Sequence, residues 1–332
     1  MGDPGGIGPE ISIKSSEYFM KFGSRIMPII FGSLEHVSYI SKNIVKTSAP
    51  INLIKPESSF ECFYRNGCLN VVDLSSISYK SVKLGRVNPE YARDVERFIT
   101  AAVDFSLKGK IAGFATAPIN KAMMIRGGAR FGGHTELLGY LTSSEYFAML
   151  FYSRKIITVL ATIHIPLKAV SAEITIESLR KTIGISVNSM KMDFGKNNPS
   201  IAVLGLNPHA GENGDIGIEE SDIIEYVIKE FRKEGVNISG PFPADSFFAK
   251  KYKMFDLIVS MYHDQALIPF KLLSFDKGVN VTVGLKIIRT SPVHGTAYDI
   301  AGKSSANCNS MIESIKLADD ISRNRHKWIE KL

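Results

Sequence analysis

The chain has 332 residues, of which 45% are hydrophobic and 22% are charged. At roughly 150 residues per domain this length predicts about two domains, and the composition excludes an intrinsically disordered protein. No uninterrupted apolar stretch reaches the ~18–20 residues that span a bilayer, so we expect no membrane protein. The first residues lack the basic start and apolar core of a secretory signal, and three cysteines (Cys62, Cys68 and Cys308) are too few for a disulfide framework. These features favour the cytoplasm.

The formal net charge is +7, from 40 basic and 33 acidic residues. The basic residues are spread along the chain and do not cluster with interleaved aromatic residues, so we expect no nucleic-acid partner. The densest cluster, Arg323–Lys327, belongs to a terminal helical pattern that also carries Asp319, Asp320 and Glu330. An anionic small substrate is equally compatible with this charge.

Apolar runs rich in β-branched residues alternate with amphipathic helical patterns, which predicts an α/β fold with parallel or mixed sheets. The predicted strands are Ile26–Phe31, Leu69–Leu74, Ile111–Ala115, Ile156–Ile163, Ile201–Leu206, Asp256–Met261 and Val279–Val283.

The predicted helices have readable ends. Asn88–Glu90 combines a capping residue with proline at the first helical position, and Gly109 marks the end of that helix. Glu219–Glu234 repeats the plan with Gly235 as its stop, and Ser310–Ile321 predicts a closing helix.

Three histidines share one context, because each follows a predicted buried strand. His164 follows Ile156–Ile163 directly, whereas His209 and His263 lie a few residues beyond their strands. In open parallel sheets ligands bind outside the carboxyl ends of the strands, where three imidazoles can converge on one divalent metal. The alternative is three separate structural or capping histidines.

Two segments are rich in glycine. Gly2–Glu10 lacks the Lys-Ser/Thr of a P-loop and has no strand before it, so its simplest interpretation is a tight turn into a helix that begins near Pro9. The second segment is Gly127–Glu136. In it, His134 and Thr135 lie at a predicted helix start, where free N–H groups favour anions. Capping by Thr135 is the alternative there.

The chain resembles the 4-hydroxythreonine-4-phosphate dehydrogenase family of pyridoxal-phosphate biosynthesis over essentially its whole length. The motifs that carry this resemblance are Gly2–Glu10, Gly133–Leu138, Asn207–Glu212, Tyr262–Leu267 and Gly278–Leu285. The stretch Pro292–Lys303 also resembles the cofactor-adenosine loop of isocitrate and isopropylmalate dehydrogenases, whose fold this family shares.

The resemblance implies two α/β domains with a cleft between them. We expect the first domain, which carries the cofactor loop, over residues 1–125 plus 286–332. The second, with metal and substrate residues, is expected over residues 126–285. Family members are homodimers, and the resemblance implies an active site shared between the subunits.

Site residues are implied motif by motif. The metal ligands are His164, His209 and His263, for one divalent ion such as Zn²⁺, Mg²⁺ or Co²⁺. The residues that hold a phosphorylated substrate are His134, Thr135, Lys271, Asn280 and Arg289. The residues that contact NAD or NADP are His294, Gly295, Thr296, Ala297 and Asn307. From the residues alone, Lys271 and Arg289 are as compatible with a solvated sheet edge.

The implied reaction is oxidation of 4-phosphohydroxy-L-threonine with decarboxylation to 3-amino-2-oxopropyl phosphate. The general base is not identified: Asp245 and Asp264 are candidates, but each is equally a partner that orients a metal-bound histidine. Alternatives within the family act on 4-phospho-D-threonate, 4-phospho-erythronate or an aromatic dihydrodiol. An alternative from another class is a three-histidine metallohydrolase, which leaves Pro292–Lys303 without a role.

The start of the chain departs from the family pattern, because family members have a strand before the Gly-Asp-Pro motif. Only Met1 precedes Gly2 here. We expect a native extension of roughly five to ten residues, the length of a typical strand. The alternative is a natural chain that tolerates the loss of that strand.

Overall fold

The computed structural model describes residues 1–22, 24–56, 64–75, 78 and 82–330. Cys62 lies outside these residues. The strands are β1 (Ile29–Gly32), β2 (Ile51–Ile54), β3 (Leu69–Asp73), β4 (Phe114–Ala115), β5 (Ala148–Tyr152), β6 (Ile157–Leu160), β7 (Ile201–Leu204), β8 (Ile238–Phe242), β9 (Leu257–Ser260), β10 (Val279–Val283) and β11 (Arg289–Pro292).

The α-helices that the structure describes are α1 (Gly8–Lys21), α2 (Leu34–Ile40), α3 (Ala92–Leu107), α4 (Lys121–Arg126), α5 (His134–Thr142), α6 (Val170–Glu173), α7 (Ile176–Met192), α8 (Glu225–Lys233), α9 (Ala244–Lys250), α10 (His263–Ser274) and α11 (Asn309–Ile329). Among these described helices, none combines the length and the apolar character that crossing a membrane requires.

The chain divides into two compact units. The first is Met1–Ser144 with Leu285–Asp319, and the second is Glu145–Gly284 with Asp320–Leu332. This division differs from the expected boundaries at two places. Residues 126–144 join the first unit because α5 packs on α3. Residues 320–332 join the second, where Arg325 donates to Asp193 at 2.6 Å.

The first unit contains a parallel three-stranded sheet in the order β1-β3-β2. One face packs against α1 and α2 through a cluster that includes Ile13, Ile30 and Val37. The other face packs against α3 through Phe31 and Phe105, among others. The first unit also contains β4 and β11, which pair with each other in parallel. Apolar side chains on both faces explain why these strands read as nearly continuous hydrophobic runs.

The second unit contains six strands in the order β10-β5-β6-β9-β7-β8. The strands β6, β9, β7 and β8 run parallel, whereas β5 pairs antiparallel with both β10 and β6. The central strands β7 and β9 are buried at every residue. The predicted α/β class with parallel and mixed sheets is therefore confirmed.

Each predicted strand overlaps an observed one; Val279–Val283 has the predicted ends, and the other strands differ from prediction by one or a few residues at one or both ends. The strands β2, β5, β8 and β11 were not predicted. The edge strand β8 includes Gly240 and Pro241, residues that weaken a strand pattern. The strand β11 has the polar sequence RTSP yet is buried throughout, because its polar groups find internal partners such as Thr290 Oγ1 on the Ser314 carbonyl at 2.8 Å.

The predicted helices are present with adjusted ends. Asn88 caps a 3₁₀ turn that leads into α3, its side chain accepting from the Glu90 N–H at 3.1 Å. The closing helix α11 runs to Ile329, beyond the predicted end at Ile321. The helix expected near Pro9 begins at Gly8. Thr135 is not the cap of α5, because Gly133 occupies that position.

A cavity of about 620 Å³ lies within the first unit. Its walls include Ile29–Phe31 of β1 and residues 113–117 around β4. Met1 lies at this cavity, its terminal amine donating to the Phe31 carbonyl at 3.0 Å. Burial lowers the pKa of that amine to about 5. The expected leading strand stays a prediction, and the cavity supplies two strand edges that it would pair with.

We predict that fusing an apolar, β-prone segment of about six residues ahead of Met1 raises the melting temperature. As the pH falls from 8 towards 5, the Met1 amine takes up a proton in the unfolded chain but not in the folded one. The free energy of unfolding therefore falls by about 1.4 kcal/mol per pH unit over this range. The fused segment removes that buried amine and also fills the cavity with apolar side chains.

The control is a Gly/Ser segment of equal length, which displaces the amine but provides no apolar side chains. Calorimetry at pH 6 and pH 8 separates the two contributions. An apolar segment that melts no higher than the Gly/Ser segment would contradict strand addition at this cavity.

Candidate active site

Three neighbouring parallel strands of the second unit each lead to one of the predicted metal ligands. β9 lies between β6 and β7, so the carboxyl ends of all three strands share one edge of the sheet. His164 follows β6, His209 follows β7, and His263 is the first residue of α10 after β9. This is the edge at which open parallel sheets bind ligands.

The structure brings His164 and His263 together. Their ring centroids are 5.7 Å apart, with ring planes tilted by 48°. This spacing suits two imidazoles that share one ion at ~2.0–2.1 Å from each ligand nitrogen. Nδ1 of His263 lies 2.7 Å from Oδ1 of Asp264, so the carboxylate orients the ring and leaves Nε2 to face a ligand.

His209 does not join that pair. It belongs to a left-handed turn in which His209 (φ 54°), Ala210, Gly211, Glu212 and Asn213 all have positive φ. Its side chain is 65% exposed, and Nδ1 lies 3.1 Å from Oε2 of Glu212. Among the described residues, no group of three His, Cys, Asp or Glu side chains is placed to hold a metal ion. The expected convergence of three histidine rings is therefore not seen in this chain.

Gln265 connects the turns that carry His209 and His263. Its Oε1 accepts from the Met261 N–H at 2.7 Å, and its Nε2 donates to the Gly205 carbonyl, also at 2.7 Å. The Thr162 hydroxyl donates to the Met261 carbonyl at 2.7 Å, which joins the β6 end to the same network. One amide and one hydroxyl thus tie three strand ends together.

Glu220 holds the start of the His209 turn. This buried carboxylate accepts from the Leu206 and Asn207 N–H groups, both at 2.7 Å, and from the Asn207 amide at 2.9 Å. Charge-assisted bonds to backbone N–H groups are stronger than neutral ones. Sequence reasoning missed Glu220 and Gln265. Gln265 lies within the motif Tyr262–Leu267, directly after a predicted ligand and its acidic neighbour, which was an available signal.

In the first unit, Arg289 and His134 belong to one electrostatic environment. Arg289 is 3% exposed and donates through Nε and Nη2 to the Thr116 hydroxyl at 3.1 and 2.8 Å. Burial lowers the pKa of this guanidinium to about 10, so it stays charged at neutral pH. Burial first, and the positive charge of Arg289 second, lower the pKa of His134 well below its usual value. A neutral imidazole therefore lies near a buried cation.

Three predicted site residues carry a buried polar atom that has no hydrogen-bond partner among the described residues. They are Nε2 of His134, Oδ1 of Asn280 and Nε2 of His294. Buried polar atoms are normally paired, so such atoms identify positions where a ligand or water completes the bonding. His134 and His294 belong to the first unit, and Asn280 lies on β10 of the second.

The remaining predicted residues differ in their surroundings. Lys271 is exposed on α10, and Thr135 is half-buried in the first turn of α5. Asp245 is exposed at the start of α9. The Asn307 side chain accepts from the Asn309 N–H at 2.8 Å, where α11 begins, which gives Asn307 a local structural role.

The predicted cofactor loop lies between β11 and α11. Ala297 has a φ of 44°, and nothing lies within 4 Å of the position that a Cβ on Gly295 would occupy. Thr296 is 9% exposed, whereas Gly295 is exposed. The loop thus presents bare backbone at Gly295, which suits close approach by a ligand.

Comparisons with known proteins identify the family of this chain. The family described as pyridoxal phosphate biosynthetic protein PdxA matches residues 25–318. A 4-hydroxythreonine-4-phosphate dehydrogenase of Desulforapulum autotrophicum is 40% identical over 96% of this chain and 93% of its own. D-threonate 4-phosphate dehydrogenase of Salmonella typhimurium is 37% identical over 96% of both chains.

The fold is also shared with a solved structure. The crystal structure of 4-hydroxythreonine-4-phosphate dehydrogenase from Klebsiella pneumoniae superposes with a TM-score of 0.82 at 36% identity, covering 97% of this chain and 96% of that one.

The fold and the relatives define an α/β oxidoreductase. The chain belongs to the PdxA family of pyridoxal phosphate biosynthetic proteins. The predicted family and enzyme class are confirmed, and a dehydrogenase of this family implies a nicotinamide cofactor.

The environment of His134 generates a prediction about pH. The folded state resists protonation of this ring, whereas the unfolded chain takes up the proton below its ordinary pKa of about 6.5. Stability therefore falls as the pH drops below about 6.5. We predict a shallower fall for His134→Gln between pH 7.5 and pH 5.5, measured by the melting temperature.

The control is His326→Gln, which replaces an exposed histidine of α11. This variant should keep the slope of the unmodified chain. Equal slopes for all three proteins would show that His134 does not resist protonation.

Proposed function

We propose that the chain oxidises 4-phosphohydroxy-L-threonine with NAD or NADP and a divalent metal ion, and that the product decarboxylates to 3-amino-2-oxopropyl phosphate. The names of its full-length relatives support this substrate. The observation that carries the proposal is the pair of imidazoles, His164 and His263, at the carboxyl edge of neighbouring parallel strands. Gln265 and Thr162 bond to the backbone at these strand ends and so hold the turns that carry the histidines in place.

His164, His209 and His263 would hold the metal ion. The donor set suits a borderline divalent ion, since neutral imidazole binds Zn²⁺ and Co²⁺ well. When bound, a divalent ion lowers the pKa of a substrate alcohol and stabilises negative charge on oxygen. Asp264 holds the His263 ring in the orientation that ligation needs.

The buried charge of Arg289 supports a phosphate or carboxylate site. The Arg289 guanidinium stays charged although it is 3% exposed, and the planar donor set of a guanidinium matches the oxygens of phosphate and carboxylate. Thr116 fixes its orientation, and neutral His134 offers a ring nitrogen without adding a second cation. Thr135, Lys271 and Asn280 would complete the contacts to the phosphorylated substrate.

A nicotinamide cofactor, when bound, accepts the hydride from the substrate carbon that bears the alcohol. His294, Gly295, Thr296 and Ala297 would contact it. Asn307 would contact it from the loop before α11, where its side chain accepts from the Asn309 N–H. Of the two candidate bases, Asp264 is engaged with His263, so Asp245 is the stronger candidate for moving the substrate proton.

We propose in addition that the enzyme acts as a homodimer in which both subunits contribute to each site. The helix α10 begins with His263 and exposes Ile268 (60%) and Leu272 (83%), and Phe275 just beyond it is 58% exposed. A second copy that covers this apolar surface would lie next to the metal residues.

A second substrate is supported by the relative from Salmonella typhimurium that is named for D-threonate 4-phosphate. This substrate differs by a hydroxyl in place of the amino group, so it tests the same phosphate and metal contacts. A three-histidine metallohydrolase is less well supported, since the relatives are dehydrogenases.

The deciding experiment follows NADH or NADPH absorbance with 4-phosphohydroxy-L-threonine, each nucleotide, and Mg²⁺, Zn²⁺ or Co²⁺. The same assay with D-threonate 4-phosphate separates the two substrates by kcat/KM. Phosphate release without reduced nucleotide would instead identify a hydrolase.

For the metal, we predict that His209→Ala weakens Co²⁺ binding by about 100-fold, because three ligands become two. The measurement is a titration of the purified chain followed by the visible absorbance of Co²⁺. His326→Ala is the matched control and should bind as the unmodified chain does. Unchanged Co²⁺ affinity in His209→Ala would remove His209 from the ligand set.

For the anion, we predict that Arg289→Lys raises KM for the phosphorylated substrate by about tenfold, which corresponds to ~1.4 kcal/mol. Lysine keeps the charge but loses the planar fork that Thr116 orients. Arg323→Lys, at an exposed position on α11, serves as the control. A KM equal to that of the unmodified enzyme would place Arg289 outside the substrate site.

A further inference from the structure

The glycine-rich segment Gly2–Glu10 has no part in the chemistry proposed above. Its backbone N–H groups are not directed at an anion, since several bond within the first unit. The Asp3 N–H donates to the Pro118 carbonyl at 3.0 Å, and the Gly5 N–H donates to the Asp3 carboxylate at 2.9 Å. The Ile7 N–H donates to the Thr296 carbonyl at 2.9 Å. A phosphate cradle would need those donors.

The segment instead bonds to the loop Pro292–Lys303 at three points. Besides the Ile7–Thr296 bond, the Tyr298 hydroxyl donates to Oδ2 of Asp3 in a short contact. The Gly302 N–H donates to Oε1 of Glu10 at 2.5 Å. These three partners are spaced along the loop, so the segment restrains most of its length.

The two carboxylates that make these bonds are both fully buried. Burial is the largest influence on Asp3 and raises the pKa of its carboxyl, while the bonds from Tyr298 and Gly5 oppose that shift. Burying two acidic groups costs free energy unless their bonds compensate. The burial of Asp3 and Glu10 is therefore unfavourable in itself, and their bonds fix the position of the loop.

Close backbone approach explains two of the glycines. A Cβ on Gly6 would lie 2.8 Å from the Thr296 carbonyl oxygen, and one on Gly85 would lie 2.9 Å from that of Tyr298. The Gly85 N–H donates to the Gly5 carbonyl at 2.8 Å, so the loop, the segment and Gly85 form one bonded unit. Side chains at these positions would separate the loop from the segment.

We propose that Asp3 and Glu10 are positioning residues that hold the loop Pro292–Lys303 in the conformation that binds the adenosine part of the nicotinamide nucleotide. This inference rests on the proposed function. It assigns the glycine-rich segment to nucleotide affinity and not to contact with the phosphorylated substrate.

The test is equilibrium binding of NAD⁺, and separately of the phosphorylated substrate, to the purified full chain by calorimetry. Tyr298→Phe removes only the hydroxyl that bonds Asp3, and Glu10→Met removes the acceptor for the Gly302 N–H. Each should weaken NAD⁺ binding by about tenfold while substrate affinity changes less than twofold. Glu10→Gln keeps an acceptor oxygen and should restore most of the NAD⁺ affinity.

Tyr39→Phe is the matched control, because Tyr39 is 47% exposed in the same unit and is not one of the residues that make the loop contacts described above. Hydrogen exchange gives a second readout that needs no ligand. The amides of residues 295–303 should exchange faster in Tyr298→Phe and Glu10→Met than in the unmodified chain, with melting temperatures that show both variants folded.

Two results would overturn the proposal: unchanged NAD⁺ affinity in both variants, or equal weakening for NAD⁺ and substrate, which indicates general loosening. Failure of the proposed function gives a different result. In that case the unmodified chain itself binds neither NAD⁺ nor NADP⁺. If only the positioning role of Asp3 and Glu10 is wrong, the unmodified chain still binds the nucleotide normally.

Discussion

The parallel pairing of β6, β9 and β7 is the constraint on which the placement of the candidate histidines depends. Parallel strands deliver their following residues to one edge, so three histidines distant in sequence follow neighbouring strand ends, and two of their rings, His164 and His263, come together. The strands themselves are apolar and buried, and they contribute no chemistry. The candidate site residues lie in the turns beyond them, where Gln265 bonds to the backbone beside two strands and so makes the turns interdependent.

Much of the second unit could be predicted from the sequence, because its central strands are uninterrupted apolar runs with a histidine after each. The pairing of His164 with His263 follows from that pattern. The outward position of His209 does not, since it depends on five consecutive residues with positive φ, among them Ala210 and Glu212, which seldom adopt that region. No local pattern announces such a turn, and Glu220, which stabilises it, lies more than ten residues away.

The first unit shows the opposite balance. Its strand β11 was not predicted, because prediction from hydrophobic periodicity needs apolar residues and this buried strand is polar. Its Arg289 guanidinium instead bonds to the Thr116 hydroxyl. The same polarity makes the unit suitable for an anionic ligand. Arg289 retains its charge in spite of burial, and His134 stays neutral beside it. A resemblance to known motifs identified both residues, but only the structure explains why one is charged and the other is not.

The left-handed turn at His209 is a costly backbone conformation that other bonds must hold in place. Each non-glycine residue in that region costs of order 1 kcal/mol or more, so a run of them persists only where other bonds hold it. Glu220 supplies three such bonds from a buried position. In this restrained turn the His209 side chain is 65% exposed. The strained turn and its three bonds thus fix the His209 ring where solvent and any ligand can reach it.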